Sequence, residues 1–471
     1  MIRSRIFIFT IAAFLIFNLV NSAVIVVNSQ LDDPAANPSI SPLTTGGVIT
    51  LRSAIEYSNF IGSSNTINFN IPNNGPVIIA VGTGTGVIGD PLPEISNSLT
   101  INGYSQPRAT PAVVSTNSAG FVPANLLIIL DGTAVTNGAF QNGLTLIVGS
   151  SMSVIEGLVI QNFPFNGIYI QGGNAQRIVG NYIGIGQSGA TAKPNGGNGI
   201  YILSGVSNVI IGSTALADRN IISGQDSLTG ATPVSGAGIF TEGSNIQIIG
   251  NFIGTDASGT GSISNRTGVY VFSTTSETPL NNTIKCNTIQ NNNGTGSLEG
   301  FGVIINGADD NPILSNSIYN NTQSAIVLVN DGNDNLPAPT LTNAIASGST
   351  ITVNGTLSSP SNPNATFRIE FFVSSANRAP ITEGQTFVGR AIVVTDGSGN
   401  AVFNNIRLPS TASPGQFASA TATLLNSSGN AVETSPYSLD ITIAEGSIAS
   451  CFSFAIYTKY CNRNDMPCAT S

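Results

Sequence analysis

Short runs of alternating apolar residues recur through the middle of the chain, and each run opens on a small or turn residue. Alternation over four or five positions predicts a β-strand that buries one face. The repeat is irregular and returns after about 30 residues, which is typical of a solenoid with loop insertions. The runs are NGIYI, NGIYI, AGIFT, TGVYV and FGVII, with glycine at 167, 199, 238, 268 and 302, and SAIVL, in which Ala325 takes that place.

A second phrase in each repeat places an asparagine beside apolar positions. Asparagine tolerates the left-handed backbone of a tight turn, and its side-chain amide can bond to the same residue one coil away. We therefore predict that these asparagines are structural. Short strands separated by such turns indicate a parallel β-helix. The positions are Asn181, Asn220, Asn251, Asn287 and Asn316.

The pattern changes on both sides of this solenoid, which is predicted over 73–335. Beyond a proline-containing linker, longer strand patterns with hairpin-type turns predict a β-sandwich of immunoglobulin or fibronectin type over 338–445. The expected fold class is all-β: a right-handed parallel β-helix followed by a small antiparallel β-sandwich. The expected handedness follows the general rule for parallel crossovers.

The segment 23–72 carries the only helical pattern. In TLRSAIEYSN, Leu51, Ala54 and Ile55 form an apolar stripe, and Thr50 and Ser53 are candidate N-caps, with Ser53 and Glu56 spaced as in a capping box. Such a helix would cover the open end of the solenoid, which is otherwise an exposed strand edge.

The first 22 residues have the pattern of a signal peptide. Two arginines precede an apolar run from Ile6 to Val20, and small or aliphatic residues follow at the expected cleavage point. A signal anchor is the alternative, although the run is short for a membrane span. Cleavage predicts an exported product that has no membrane span and is secreted or held at the cell surface.

Charge narrows the range of partners. Charged residues make up 8% of the chain, and removal of the leader leaves 13 basic against 24 acidic residues, a net charge of −11. This sign argues against nucleic acid, anionic membranes and polyuronates as default partners, because each is repelled at long range.

Four cysteines suit an oxidising compartment without forming a disulfide scaffold. Cys286 stands alone in a coil, whereas Cys451, Cys461 and Cys468 crowd the tail 446–471, so one bridge is expected within the tail. Three full pairings of the four are open. The chain contains no histidine, and the cysteine spacing does not match a zinc site.

Several segments together resemble one family of proteins. TLRSAIEYSNFIGSSNTINFNIP is similar to the CSLREAI domain of secreted bacterial β-helix proteins, and LPEISNSLTINGYSQPRATP, GNFIGTDASGTG and the sandwich segment EGQTFVGRAIVVTDGSGNAVF resemble the stretches that follow it. The family's cysteine before its Leu-Arg pair is Ile49 here, so the cap disulfide it implies is absent. The resemblance implies the fold and export and assigns no activity.

Acidic residues offer weak candidates for catalysis. A glycoside hydrolase needs two carboxylates in one groove, but Asp309 and Asp310 are adjacent on the chain, and neighbours on a strand point to opposite faces. A calcium-dependent lyase needs an acidic cluster and a basic residue. Arg266 and Lys285 are the candidate bases, and a solvated acidic loop is the alternative interpretation. The candidate calcium ligands are Asp309, Asp310, Asp331 and Asp334.

Aromatic residues give a stronger candidate for binding. Alternation within the repeated strands points Tyr169, Tyr201, Phe240 and Tyr270 away from the solenoid interior. Coils rise by about 4.8 Å, so the rings form a column whose spacing suits sugar rings. The alternatives are burial beneath an inserted loop and self-association through this column.

These observations favour a secreted or cell-surface β-helix protein that binds an extracellular polysaccharide or matrix without catalysis. No cofactor is required, and calcium is the one ion considered. A polysaccharide lyase or epimerase, with a degenerate site near Asp309 and Arg266, is the first alternative. A purely structural spacer is the second.

Overall fold

The structure is a computed structural model that describes residues 22–446 except 116–119, 139–140, 226–235 and 275–277. The predicted signal peptide and the cysteine tail therefore lie almost entirely outside the described residues. Within these ranges the chain is dominated by β-strands, and one α-helix of 11 residues is present. No helix in the described ranges is both long enough and apolar enough to cross a membrane.

Residues 24–329 wind into a parallel β-helix in which successive coils add strands to three sheets. Sheet 1 contains, among the described residues, Val24–Val27, Asn65–Phe69, Leu99–Asn102, Val154–Glu156, Arg177–Val179, Ile210–Ile211, Gln247–Ile249, Thr283–Lys285 and Ile313–Leu314. Sheet 2 contains Val77–Ala80, Ile128–Asp131, Leu158–Gln161, Tyr182–Ile183, Ile221–Ile222, Phe252–Ile253, Thr288–Gln290 and Ser317–Tyr319. Sheet 3 contains Leu144–Leu146, Ile168–Ile170, Ile200–Ile202, Ala237–Thr241, Thr267–Phe272, Val303–Asn306 and Ile326–Val329. The predicted fold class is confirmed.

The core lies inside the coils. In sheet 2, Ile183, Ile222, Ile253 and Ile289 occupy one parallel register and are completely buried. Neighbouring residues on the same strands point outward, which is the alternation that the sequence shows. The outward column of sheet 2 includes Tyr182, and this face carries the site described below.

An asparagine ladder sets the corner between sheet 1 and sheet 2, as predicted. The side chain of Asn181 donates to Oδ1 of Asn220 at 3.2 Å, and Asn220 donates to Asn251 at 2.9 Å. Asn251 donates to Asn287 at 3.1 Å, and Asn287 donates to Asn316 at 3.0 Å. All five are buried, so the ladder satisfies amides that would otherwise be unpaired away from water.

A further ladder, which the sequence analysis did not identify, lines the corner between sheet 2 and sheet 3. The bonds pass along Asn195, Gln225, Asn265, Asn292 and Asn321. These residues are buried and satisfy the turn backbone in the same manner. The sequence repeat is less evident at these five positions because one of them is a glutamine instead of an asparagine.

Sheet 1 begins near the start of the described chain, where Val24–Val27 pairs with Asn65–Phe69. The predicted boundary at residue 73 stays a prediction. The helix Leu51–Ile61 lies between these strands, as predicted. Its capping box joins Thr50 to Ser53, whereas the predicted partner Glu56 accepts a bond from the backbone of Ala35 at 2.7 Å. The hairpin Ala35–Asn37 and Ser41–Thr44 packs beside the helix.

The C-terminal unit is an antiparallel two-sheet sandwich around its own apolar core. In the described chain, one sheet contains Thr340–Ser347, Thr350–Ser358, Asn400–Pro409 and Ala444–Glu445. The other contains Thr366–Ser374, Thr386–Val394, Phe417–Leu425, Ala431–Thr434 and Ile441–Thr442. The predicted domain bounds of 338–445 stay a prediction.

The sandwich closes the end of the solenoid. Gly384 and Ile318 exchange two backbone hydrogen bonds, each of 2.9 Å. The buried carboxylate of Glu370 accepts from the backbone of Ser315 at 2.7 Å, and Glu383 accepts from that of Asn320 at 2.9 Å. The sandwich thus satisfies backbone groups that another coil would otherwise pair.

Cys286, one of the four candidate disulfide cysteines, is disulfide-bonded. Cys451, Cys461 and Cys468 lie outside the described residues. The expected bridge within the tail therefore stays a prediction.

Candidate functional site

The predicted aromatic column forms on the outer face of sheet 3, but it is buried. Adjacent rings of Tyr169, Tyr201, Phe240 and Tyr270 have centroids 5.1, 5.0 and 5.2 Å apart. Phe240 and Tyr270 are each 1% exposed and Tyr169 is 6% exposed, so the predicted exposure is wrong. Leu298 and Phe301 pack against the column from outside the coil, which corresponds to the alternative of burial beneath an inserted segment.

Polar contacts of the column are also made within the protein. The Tyr201 hydroxyl donates to Glu242 at 3.1 Å, and the Tyr270 hydroxyl accepts from Asn306 at 2.6 Å. Burial raises the pKa of Tyr169, Tyr201 and Tyr270, so these phenols stay protonated at neutral pH. Among the four residues of the column, Tyr201 alone is partly exposed to solvent. The column is therefore chiefly a structural element.

The four aspartates predicted to bind calcium lie near the end of the solenoid without forming a metal site. The backbone of Asp334 donates to Asp309 at 3.3 Å, and Asp331 accepts from Asn335 at 2.6 Å. In the described ranges, no three Asp, Glu, Cys or His side chains are arranged to hold a metal ion. This geometry lends no support to calcium binding by Asp309, Asp310, Asp331 and Asp334, which stays a prediction.

The sequence analysis missed Glu433 beside these aspartates. Glu433 is 3% exposed and lies on the sandwich strand Ala431–Thr434. Burial raises its pKa to about 7, and the charges of Asp334, Asp310 and Asp309 add to the shift. The acidic cluster therefore contains a carboxyl group that holds a proton in the neutral range.

The two basic candidates for catalysis are separated from this cluster. Arg266 forms an ion pair of 2.8 Å with Glu299, in the segment that covers the aromatic column. Lys285 lies on sheet 1. The alternative of a lyase or epimerase site near Asp309 and Arg266 stays a prediction.

The structure assembles a different candidate site on the outer face of sheet 2, which we call the flank pocket. Its empty space is about 190 Å³, counted out to the open solvent. It lies between sheet 2 and the segment that contains the hairpin Val113–Val114 and Phe121–Val122. The lining residues are Ala112, Phe121, Pro123, Ala124, Tyr182, Arg219, Ile221 and Ala257.

The asparagine ladder places the residues of the flank pocket. Asn181 immediately precedes Tyr182, and Asn220 lies between Arg219 and Ile221. Because Asn181 and Asn220 are tied to each other, the outward positions beside them hold a fixed spacing. Tyr182 is tied to the opposite wall, since its hydroxyl donates to the carbonyl of Ala124 at 3.0 Å.

Arg219 lies beside two aromatic rings. Its guanidinium carbon lies 4.0 Å from the centre of the Phe252 ring and 4.9 Å from that of Phe121. Its Nε donates to the carbonyl of Gly250 at 3.1 Å. Burial lowers the pKa of Arg219 to about 10, so the group is still charged at neutral pH. These contacts fix a cation in a largely apolar wall.

A polar extension of the site begins at Tyr104, which packs against the same apolar cluster as Tyr182. The Tyr104 hydroxyl donates to the carbonyl of Gly180 at 2.8 Å. Glu156 and Asp218 both act electrostatically on Tyr104, which places the two carboxylates near it. Asp218 accepts from Ser213 at 2.7 Å and lies 3.5 Å from Arg177.

Glu156 differs from Asp218 in its environment. It is half-buried, and burial raises its pKa, opposed by Arg177 and reinforced by Asp218. Glu156 and Arg177 come from neighbouring strands of sheet 1, where Glu156 pairs with Val179, two positions beyond Arg177. A carboxyl that retains its proton more readily than usual has the property required of a general acid.

Comparisons with known proteins add little to this geometry. No protein-family model matches the chain, and no curated protein matches it. Among solved structures, the chain is similar to the crystal structure of the tailspike protein gp49 from Acinetobacter baumannii bacteriophage Fri1, a capsular polysaccharide depolymerase. The match has 11% identity and a TM-score of 0.22, and it covers 84% of this chain and 82% of the tailspike. The assignment of the fold therefore rests on the parallel strand pairing itself.

Proposed function

We propose that this protein is a secreted or cell-surface β-helix protein of the CSLREAI-containing type that binds an extracellular polysaccharide without cleaving it. The flank pocket carries the proposal. It combines aromatic walls, aliphatic contacts and one fixed cation on the outside of a rigid solenoid. Ligand sites typically consist of such a concave apolar surface with a few oriented polar groups.

The chemistry of the pocket suits a sugar substituent. The C–H faces of a sugar pack on aromatic rings such as Phe121, while the hydroxyl groups require donors and acceptors at the edge. The Tyr104, Glu156 and Asp218 region supplies such polar groups beside the pocket. A polysaccharide lying along the flank would contact both regions.

The location of the site supports binding at a surface. It lies on the outer flank rather than at either end of the solenoid, where the helix and the sandwich pack. The sequence pattern of residues 1–22 favours export, and the sandwich offers a separate surface for attachment. We place the protein outside the cell on these grounds.

The proposal is tested on a glycan array with the full mature chain, with and without calcium. Phe121→Ala removes an aromatic wall of the flank pocket, and Phe60→Ala is the matched control because Phe60 is 61% exposed on the capping helix. We expect a glycan signal that Phe121→Ala loses and Phe60→Ala keeps. The absence of any glycan signal, or equal binding by all three proteins, would overturn the assignment to this pocket. If no glycan on the array binds under either condition, the result would favour a purely structural spacer.

A carbohydrate-acting enzyme, such as a lyase or epimerase, is the second candidate function. It is favoured by the raised pKa of Glu156 beside Asp218 and Arg177. The array glycans are therefore incubated with wild-type protein and analysed by mass spectrometry for cleaved or epimerised products. Turnover that Glu156→Gln abolishes, with binding retained, would replace the non-catalytic proposal.

A further inference from the structure

We propose that Arg219 recognises an anionic group, a carboxylate or a sulfate, carried by the glycan that occupies the flank pocket. This inference rests on the proposed function and specifies its ligand. The shared chemistry is an oxyanion that accepts hydrogen bonds from a guanidinium.

The first observation is an unused donor. Within the described residues, Nη1 of Arg219 is buried and has no hydrogen-bond partner. Its Nε already donates to Gly250, and two aromatic rings lie near the guanidinium. An unpaired buried donor lowers the stability of the folded state, and a charged donor lowers it more. Folded proteins rarely leave such a group unpaired.

The second observation is that the neighbouring acid is engaged elsewhere. Asp218 precedes Arg219 on the chain, but its carboxylate accepts from Ser213 at 2.7 Å and lies 3.5 Å from Arg177. The pocket walls around Arg219 are mainly carbon, contributed by Ala112, Pro123, Ala124, Ile221 and Ala257. The oxygen that pairs with Nη1 is therefore best supplied by a ligand.

The geometry also favours recognition of a defined group over general attraction. The bond to Gly250 and the ring of Phe252 fix the plane of the guanidinium before a ligand arrives. A guanidinium whose orientation is already fixed loses little side-chain entropy when it binds an oxyanion. A flexible surface lysine or arginine would lack this advantage.

The size of the pocket limits what enters it. The roughly 190 Å³ of empty space includes open solvent, so the enclosed part of the flank pocket is much smaller. It admits only a small part of a ligand, such as the oxygen of one substituent. The rest of the glycan would lie on the flank outside.

The charge of the whole chain limits the density of anionic groups on the ligand. With a net charge of −9, the protein repels a polyanion at long range. A glycan with isolated acidic groups on an otherwise neutral chain satisfies Arg219 without this cost. We therefore infer a sparsely acidic polysaccharide rather than a polyuronate.

The test uses matched pairs of oligosaccharides that differ only in the anionic group: sialyllactose with lactose, cellobiouronic acid with cellobiose, and 6′-sulfolactose with lactose. Affinities are measured by isothermal titration calorimetry with the full mature chain. We expect at least one acidic member to bind about 10-fold to 100-fold more tightly than its neutral partner, as hydrogen bonds to charged groups predict. The pair that responds distinguishes a carboxylate from a sulfate.

Two variants test whether Arg219 is responsible. Arg219→Gln should remove the preference for the acidic member, so that both members of each pair bind with equal affinity. Arg219→Lys keeps the charge without the planar fork and should recover only part of the preference. Arg407→Gln is the control, because Arg407 is exposed on the sandwich. Melting temperatures show whether each variant folds.

The outcomes separate this inference from the proposed function. Equal affinity for acidic and neutral members, or an acidic preference that survives Arg219→Gln in a folded protein, overturns anion recognition and leaves glycan binding in place. Absence of binding by every oligosaccharide and by the array glycans overturns both. If Arg219→Gln does not fold, an acidic preference that Arg219→Lys retains in full also contradicts the inference.

Discussion

The guanidinium carbon of Arg219 lies 4.0 Å from the centre of the Phe252 ring. We expect this contact to contribute about 0.5–2 kcal/mol, the range for a cation over an aromatic face. A double-mutant cycle of Arg219→Gln and Phe252→Leu, followed by urea unfolding, measures the coupling directly. Leucine preserves an apolar side chain in the buried Phe252 position but removes the ring. Additive effects of the two substitutions would show that the ring does not hold the guanidinium.

The asparagine ladder should be a major source of stability. Asn251 bonds to Asn220 and Asn287 and donates to the carbonyls of Ile211 and Ile249. Asn251→Ala leaves several buried polar groups without partners, at about 1–3 kcal/mol each. We expect the free energy of unfolding to fall by at least about 2 kcal/mol.

Asn74→Ala is the matched control for the ladder, because Asn74 is exposed. A surface substitution of this kind usually changes stability by less than about 0.5 kcal/mol. Chemical denaturation of both variants gives the comparison. If both variants lose an equally small amount of unfolding free energy, the ladder forms as a result of coil stacking and does not stabilise the solenoid.

The aromatic column on sheet 3 should behave as core rather than as a binding surface. Phe240 is 1% exposed, so Phe240→Ala is expected to lower the free energy of unfolding by about 3–5 kcal/mol. Phe60→Ala removes an equal volume at an exposed position and should have little effect. Thermal and urea unfolding test the pair. A stable Phe240→Ala protein that has lost glycan binding would restore the column as a candidate site.

The junction between solenoid and sandwich should depend on Glu370. Its carboxylate is fully buried, accepts from the backbone and hydroxyl of Ser315, and pairs with Arg368. Removal of one member of a buried ion pair costs about 3–5 kcal/mol. We expect Glu370→Ala to split the calorimetric unfolding into separate transitions for sandwich and solenoid. Glu445→Ala, at an exposed position of the sandwich, should leave the profile unchanged.

Glu433 should make stability depend on pH. Its pKa is raised from 4.5 to about 7 in the folded protein, first by burial and then by Asp334, Asp310 and Asp309. The folded state therefore binds more protons than the unfolded state between these values. The stabilisation is complete below about pH 4.5 and is lost as the pH rises to about 7.

Glu433→Gln removes this titration and should flatten the melting temperature between pH 4.5 and pH 7. The variant should melt at a higher temperature than the wild type above pH 7, because its buried side chain carries no charge. Glu445→Gln is the exposed control. An unchanged pH profile in Glu433→Gln would assign the dependence to other groups, such as Asp440, whose pKa burial raises to about 6.

Local periodicity accounts for what the sequence predicted correctly. The ladder from Asn181 to Asn316 and the column from Tyr169 to Tyr270 recur at equivalent positions of successive coils, so each could be found from its neighbours. The helix Leu51–Ile61 follows from an apolar stripe and a polar N-cap. These features depend on residues that are close in the chain or related by the repeat.

Contacts made by the segments inserted between strands could not be predicted from the sequence repeat. Leu298 and Phe301 belong to a segment of irregular length, and nothing in the repeat shows that it folds back over Phe240. The flank pocket joins Phe121 to Arg219, nearly a hundred positions apart. A signal was nevertheless present, since aromatic residues follow the ladder asparagines at Tyr182 and Phe252 and a rare arginine precedes Asn220.

The closure of both solenoid ends has a consequence for how such a chain can change in length. Within the described ranges, the helix Leu51–Ile61 lies at the first coil and the bridge between Ile318 and Gly384 lies at the last. One whole coil can therefore be inserted or deleted between them while both ends keep their contacts. Each such change would move the sandwich away from or toward the flank pocket by about 4.8 Å, the spacing between adjacent strands. The reach of the molecule is thus adjustable in equal steps, independently of what it binds.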